Sequence, residues 1–142
     1  MSRVQDVVHQ SELFHVEEHQ TVAEVARYMA DLHVGAILVL DHGSLRGLFS
    51  ERDLMHRVIL ARLDPERTPV GQVMTTAVAT IDADASIEEA MAAMQSHNCR
   101  HLPVTRGGRV VAFLSMRDLM RYELALKTEE LHHMRAYIHG NV

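Results

Sequence analysis

Two segments of this 142-residue chain place a serine three residues before an aspartate: Ser50-Glu-Arg-Asp53 and Ser115-Met-Arg-Asp118. Each segment lies where a β-rich run gives way to a helical pattern, so each serine is placed to cap a helix N-terminus. Unpaired N–H groups and the positive end of the helix dipole favour an anion such as phosphate there. A carboxylate in the first turn could also accept two hydrogen bonds from vicinal hydroxyls. The alternative is that each aspartate only caps its own helix.

The two segments belong to a duplicated stretch of sequence. A shift of 65 residues, which carries Ser50 onto Ser115, overlays the chain on itself without a gap from about Val16 to Met55. Five of the six residues from Ser50 to Met55 are identical in the overlay, and Gly43 falls on the turn glycine of the second copy. A fixed offset that aligns both motifs and turns indicates two copies of one structural unit.

Each copy predicts the order strand, helix, strand, strand, helix. Thr21 and Ser86 each have a glutamate three residues on, which is the capping-box signature of a helix start, and an apolar helical stripe follows. β-rich runs at 36–40 and 102–105 lead through glycine-containing turns to short strands at 45–49 and 110–114. The pattern therefore predicts an α/β (α+β) fold that presents one Ser-x-x-Asp segment at the last strand–helix junction of each copy.

The expected boundaries are a first repeat at 1–62, a linker at 63–69, a second repeat at 70–125 and a C-terminal helical extension at 126–142. Pro65 and Pro69 among several charged residues indicate the linker. In the final helix, four apolar residues lie on one stripe, which must be buried somewhere. Packing on the protein's own core and contact with a second copy are both open. The stripe consists of Leu124, Leu131, Met134 and Ile138.

Composition argues against several classes of function. The net charge of −5 and the absence of Trp argue against a nucleic-acid partner. The longest apolar run, 36–40, is far shorter than the roughly 20 residues of a membrane helix, and the N-terminus does not resemble a signal peptide. The single cysteine suits a reducing compartment. We expect a soluble, cytoplasmic protein that binds neither nucleic acid nor membrane.

The repeat resembles the CBS domain, named after cystathionine β-synthase, and the tandem arrangement resembles a Bateman module. The signature consists of a small residue, two apolar residues, Ser or Thr, two variable residues and Asp, as in Gly47–Asp53 and Ala112–Asp118. The resemblance extends from Val4 to about Tyr122. It implies two βαββα units packed about a pseudo-twofold axis. It also implies a stand-alone regulatory module with no catalytic activity, which forms a homodimer and acts on a protein partner that the sequence does not identify.

The resemblance further implies an adenosine-containing ligand in the clefts between the repeats: AMP, ADP, ATP or NAD, with S-adenosylmethionine less expected. Asp53 and Asp118 would hold ribose hydroxyls, while Arg52 and Arg117 suit phosphate. His101 could meet phosphate where its counterpart Ala36 could not. Backbone and apolar contacts near the adenine are implied for other positions, where core packing explains the residue types equally well. The complete expected ligand-binding set is Val16, Ala36, Ile37, Ser50, Arg52, Asp53, Thr76, Val78, Ala79, His101, Leu102, Pro103, Ser115, Arg117 and Asp118.

The two copies depart from each other at positions close to the expected ligand. Gly47 keeps its strand small where a ligand would approach, whereas Ala112 adds a methyl group at the equivalent position. Leu38 stands where the second copy has Pro103. We therefore expect the two sites to differ in affinity or in choice of ligand.

Other chemistry finds less support. His97, Cys99 and His101 alternate, so one strand face could gather them as metal ligands, but nothing in the sequence completes the set. The tail histidines, His132, His133 and His139, are expected on a solvated helix face. No pattern pairs a nucleophile with a base, so an enzyme is not expected. An oligomerisation scaffold without ligand and a small metal- or redox-responsive protein using Cys99 remain as alternatives.

Overall fold

The computed structural model describes residues 2–8 and 13–139. Both halves show the expected order of strand, helix, strand, strand, helix, each preceded by a short helical segment. The first half contains α1 (Val4–Val8), β1 (His15–Val16), α2 (Val22–Leu32), β2 (Ala36–Asp41), β3 (Ser44–Ser50) and α3 (Glu51–Asp53), which continues as a π-helix (Leu54–Ile59). The second half contains a 3-10 turn (Val70–Gln72), β4 (Ile81–Asp82), α4 (Ile87–Ser96), β5 (His101–Arg106), β6 (Arg109–Ser115) and α5 (Met116–His139).

The first long helix of each half begins at the capping residue that its sequence predicts. The Thr21 hydroxyl accepts a hydrogen bond from the Glu24 backbone N–H at 3.2 Å, and the Ser86 hydroxyl accepts one from Glu89 at 3.0 Å. These bonds satisfy N–H groups that have no partner within a helix. The duplicated sequence therefore produces the same local structure twice.

Each half forms a three-stranded mixed sheet. In both, a short strand pairs in parallel with the first strand of an antiparallel hairpin, giving the orders β1-β2-β3 and β4-β5-β6. The register shifts once in each hairpin, after Val39 and after Val104, which are equivalent positions. Between the sheets, Leu38 and Leu40 from β2 bury against Val110 from β6. This contact packs the two repeats against each other.

The segment that leads into each half packs on the other half. Val4 and Val8 of α1 belong to the core of the second repeat, and the Val4 N–H donates to the Ala85 carbonyl at 2.9 Å. In return, Val70 and the residues after it belong to the core of the first repeat, and the Val70 N–H donates to the Gln20 carbonyl at 2.8 Å. The repeats are therefore held together by an exchange of their leading segments as well as by the sheet contact.

The expected linker is bonded to the first repeat. The Thr68 hydroxyl donates to the Asp64 carbonyl at 2.8 Å, and the Thr68 carbonyl accepts from the Val22 N–H at 2.9 Å. Pro69 forms a bridge with Thr21 at the start of α2. These contacts hold the linker against the first repeat. The segment that follows, beginning at Val70, therefore starts next to the core of that repeat.

Helix α5 extends well past the second repeat. Leu119 is buried in the core, whereas the four stripe residues identified from the sequence have between 51% and 67% of their surface exposed. Packing of the stripe on the protein's own core is therefore wrong, because the helix has left the core before it reaches them. Among residues 2–8 and 13–139, no helix has the length and apolar character needed to cross a bilayer.

Candidate functional site

The two Ser-x-x-Asp segments form reciprocal caps at the strand–helix junctions. The Asp53 N–H donates to the Ser50 hydroxyl at 3.1 Å, and the Ser50 N–H donates to the Asp53 carboxylate at 3.0 Å. Ser115 and Asp118 form the same pair of bonds, both at 3.0 Å. Both aspartates therefore act as caps. A ligand could therefore hydrogen-bond only to the carboxylate lone pairs that these caps and other protein contacts leave unoccupied.

The Asp53 carboxylate is almost fully engaged by the protein. Its Oδ2 accepts from the backbone and the hydroxyl of Ser50, and its Oδ1 accepts from the Thr75 hydroxyl at 3.1 Å. The Arg57 guanidinium lies 3.5 Å from Oδ1 and also donates to the Met74 carbonyl at 3.0 Å. Asp53 is only 7% exposed. A ligand hydroxyl could reach this carboxylate only by displacing one of these partners.

The Asp118 carboxylate is much less engaged. It is half-buried, and its Oδ2 accepts from the Ser115 N–H. Across the described ranges, its Oδ1 takes part in no hydrogen bond or ion pair. Since a carboxylate oxygen offers two lone pairs, Asp118 can accept further hydrogen bonds without breaking its cap. The two aspartates therefore differ in the hydrogen-bonding capacity that they keep, and the expected difference in affinity between the two sites stays a prediction.

His101 lies beside the Asp118 junction. It pairs with Ser115 in the register of β5 and β6, and its ring stacks on Phe113 at a centroid distance of 5.1 Å and an angle of 29°. Burial lowers the pKa of His101 below its ordinary value, the Asp118 charge partly opposes this, and the Arg100 charge adds to it. The imidazole is therefore neutral near pH 7, when it can both donate and accept a hydrogen bond.

We expect His101 to make stability fall on acidification. A histidine whose folded pKa is below its unfolded value of about 6.5 binds more protons when unfolded, so its contribution is complete above that pH and is lost as the pH falls through the folded pKa. Urea denaturation between about pH 5 and pH 7.5 measures the effect. The His101→Phe variant should lose less stability on acidification than the wild type. Equal losses in the two proteins would contradict this.

The remaining residues of the expected set divide by exposure. Arg52 and Arg117 are exposed in the first turns of their helices, as is Thr76 in the segment before β4. Ala36 pairs directly with Ser50, in the position that His101 occupies in the second half. The buried side chains of the set pack in the core, which is the alternative that the sequence left open. A ligand role for them stays a prediction. The buried members are Val16, Ala36, Ile37, Leu102 and Pro103, with Val78 and Ala79 half-buried.

Sequence reasoning missed Thr75 and Arg57, which contact Asp53. Arg57 lies four residues after Asp53 on the same helix, so the spacing alone could have suggested an ion pair. Thr75 carried no such signal, because only the exchange of leading segments brings it to the first repeat. Its backbone pairs with Leu48 at 2.8 and 2.9 Å, which places its hydroxyl at the Asp53 carboxylate.

The ligand-approach interpretation of Gly47 is wrong. A Cβ atom at this position would lie 2.6 Å from the Met74 sulfur and 2.7 Å from the Thr75 carbonyl oxygen. Residue 47 has no room for a side chain because the leading segment of the second repeat crosses strand β3 at this position. Ala112, the equivalent residue, is 2% exposed in the core of the second repeat.

The alternation of His97, Cys99 and His101 does not form a strand face. His97 ends α4, Asn98 adopts a left-handed conformation with φ of 49°, and β5 begins only at His101. The Cys99 N–H still bonds to the Met94 carbonyl at 2.9 Å, because the chain is closing the helix there. The described part of the chain gathers no group of three or more metal-ligating side chains. His132 and His133 are exposed as expected, and the side chain of His139 lies outside the described residues.

Known proteins share this arrangement. YhcV of Bacillus subtilis, a CBS domain-containing protein, is 33% identical over 119 residues, which are 84% of this chain and 84% of that protein. Hypoxic response protein 1 of Mycobacterium tuberculosis is 32% identical over 108 residues, which are 75% of this chain and 76% of that protein. A crystal structure of Hypoxic Response Protein I with two coordinated zinc ions has a TM-score of 0.77 at 29% identity, over 86% of this chain and 99% of that one.

A more distant solved structure supports the fold. CBSX2 in complex with AMP has a TM-score of 0.72 at 21% identity, over 83% of this chain and 92% of that one. The family model for the CBS domain matches twice, at residues 4–60 and 70–125. Tandem CBS pairs of this kind are regulatory modules without catalytic activity. The two matched repeats, their βαββα order and the packing between them establish that the chain belongs to the CBS-domain family, as a tandem pair.

Proposed function

We propose that this tandem pair is a cytoplasmic regulatory module that binds an adenine nucleotide, and that the second repeat provides the better-prepared site. The observation that carries the proposal is the Asp118 carboxylate, which keeps one oxygen available at a strand–helix junction. Two hydroxyls of a ribose can share such an oxygen or bridge the carboxylate. The His101 ring, stacked on Phe113, lies across the hairpin from the same junction.

Charge at the second site favours a ligand that carries phosphate. Arg117 is exposed in the first turn of α5, and Arg100 adjoins His101. The helix N-terminus adds a partial positive charge. AMP, ADP, ATP and NAD all satisfy this requirement, whereas the sulfonium of S-adenosylmethionine does not. That CBSX2 was solved with AMP supports the choice of an adenine nucleotide, since the fold is shared.

The first site offers a means of regulation. A ribose that binds Asp53 must replace the Thr75 hydroxyl or the Arg57 guanidinium. Both groups connect the first repeat to the leading segment of the second, so occupancy would alter how that segment is held. A ligand that prefers one arrangement of the segment shifts the population towards it. An effector protein that senses the arrangement would then respond to nucleotide concentration.

We expect affinity for AMP to exceed affinity for adenosine by about tenfold, since one hydrogen bond to a charged group is worth about 1.5 kcal/mol or more. The difference should shrink as salt screens the phosphate. Calorimetry at about 50 mM and 500 mM salt measures both effects. Arg117→Ala should abolish most of the difference, whereas the equivalent Arg52→Ala should leave it in place. If AMP and adenosine bound with equal affinity at both salt concentrations, the proposed contact with the phosphate group would be wrong.

The two alternative functions predict different thermal shifts. A ligand raises the melting temperature in proportion to the logarithm of its concentration over its dissociation constant. The proposed function predicts a rise with at least one of AMP, ADP, ATP and NAD. A scaffold without ligand would show none. The zinc ions in Hypoxic Response Protein I make a zinc-responsive module the other candidate, which would show a rise with zinc that a chelator reverses.

We also propose that the pair acts as a homodimer. The apolar stripe of α5 is exposed in a single chain, and a twofold contact would bury it against its own copy. Light scattering at micromolar concentration tests this. A particle of 16.0 kDa, the mass of one chain, would contradict it.

A further inference from the structure

The exposed residues of α5 follow a seven-residue repeat. Leu124, Leu131 and Ile138 are spaced seven apart, and Met120 and Met134 lie in the second apolar position of the same repeat. All five are more than half exposed. The seam they form is about 27 Å long from Met120 to Ile138, at roughly 1.5 Å per residue. A repeat of this kind is the pattern by which one helix packs along another in a coiled coil.

The seam faces away from the protein's own core. Tyr122, whose hydroxyl donates to Ser2, lies on the opposite side of the helix from the seam, and Leu119, which is 1% exposed, lies about 100° from the seam around the helix axis. The module therefore attaches to one face of α5 and leaves the other face open. A second helix could lie along the seam without meeting the module that carries the first.

We infer that α5 pairs in parallel with α5 of a second copy. The residues that flank the seam carry complementary charges, with Glu123 and Glu130 on one side and Arg121 and Arg135 on the other. In a parallel pair, Glu130 of one chain meets Arg135 of its partner, twice by symmetry. No ion pair in the described part of the chain engages either residue, so both are available for this contact.

An antiparallel pair would place like charges together. The register that best matches the apolar residues sets Met120 against Ile138 of the other chain and Leu124 against Met134. Glu130 then meets its own copy, and Arg121 meets Arg135, so both flanks repel. Lys127 occupies one seam position in either orientation and weakens both, because a charge on the seam lowers coiled-coil stability. The flanking charges therefore decide the orientation.

The parallel arrangement also suits the attachment of the modules. Each module contacts the outer face of its own helix, so the two lie on opposite sides of the helix pair at the same end. The inference rests on the homodimer proposed above and does not depend on nucleotide binding.

Cysteine cross-linking tests the orientation. In a Cys99→Ser background, Ile138→Cys should form a disulfide-linked dimer under mild oxidation, because residue 138 meets its own copy only in a parallel pair. Ala136→Cys, on the outer face of the same helix, is the matched control and should stay uncrosslinked. A disulfide that forms only when Ile138→Cys and Met120→Cys chains are mixed would overturn the parallel arrangement.

Charge reversal provides a second measurement. Glu130→Lys should weaken dimerisation by roughly tenfold, since it turns two attractive contacts into repulsive ones, and adding Arg135→Glu should restore it. A Glu130→Lys variant that dimerises as well as the wild type would overturn the inference. A wild-type monomer by light scattering would overturn both the inference and the homodimer, and would leave the nucleotide proposal standing.

Discussion

Replacing Asp118 with alanine should weaken AMP binding at the second site by tenfold or much more. The change removes the acceptor for two ribose hydroxyls, and hydrogen bonds to a charged group are worth roughly 1.5–3 kcal/mol each. The fold should survive, because among the described residues the hydrogen bonds of Asp118 are those of its reciprocal cap with Ser115, which is worth about 1 kcal/mol. Calorimetry on the folded variant measures the loss.

Asp53→Ala is the matched control, since it makes the same change at the equivalent position. It should leave the second site largely intact and weaken only the first. It should also cost more stability, about 1–3 kcal/mol, because the hydroxyls of Ser50 and Thr75 and the Arg57 guanidinium lose their shared acceptor. The double variant should not bind AMP. Wild-type affinity in the double variant would mean that neither carboxylate holds the ribose and that both are caps alone.

Gly47→Ala should destabilise the protein by about 1–3 kcal/mol, as overpacking of a close contact does. The added Cβ would overlap the Met74 sulfur and the Thr75 carbonyl oxygen, and a backbone atom cannot move aside as a flexible side chain can. The leading segment of the second repeat would have to shift, which would also strain the Thr75–Asp53 hydrogen bond. Chemical denaturation gives the change in unfolding free energy.

Gly35→Ala is the control for Gly47→Ala. A Cβ at Gly35 would lie 3.5 Å from the Glu51 side chain, which is an ordinary contact with a group that can move. This variant should stay within about 0.5 kcal/mol of the wild type. If Gly47→Ala changed the free energy of unfolding as little as Gly35→Ala, the close crossing of the two repeats at Gly47 would not contribute to stability.

The contrast between the two aspartates bears on how the module could signal. Asp118 can accept a ligand with its cap intact, whereas Asp53 must first release Thr75 or Arg57. A nucleotide would then fill the second site at lower concentration and change the contact between repeats only when it reaches the first. The predicted parallel pairing of α5 would place two such modules at the same end of the helix pair, where one effector could contact both.

The local structure could be predicted from the amino-acid sequence alone. Capping residues such as Thr21 and Ser86, the apolar helical stripes after them and the glycine turns act within a few residues, so their effect is the same in any surroundings. The repeat at a fixed offset then predicted the whole order of elements twice. The two Ser-x-x-Asp caps were predictable for the same reason, since each needs only its own first turn.

The hydrogen-bonding capacity that each aspartate keeps depends on the packing of the two repeats and could not be predicted from the sequence. The sequence segments around Asp53 and Asp118 are nearly identical, but Asp53 is engaged by Thr75, which lies 22 residues away and arrives through the exchange of leading segments. The same exchange explains Gly47, which the sequence alone assigned to a ligand. Contacts between distant segments depend on how whole elements pack, and no local spacing encodes them. The exposed stripe of α5 is a further case, because only the structure shows that the helix leaves the core before Leu124.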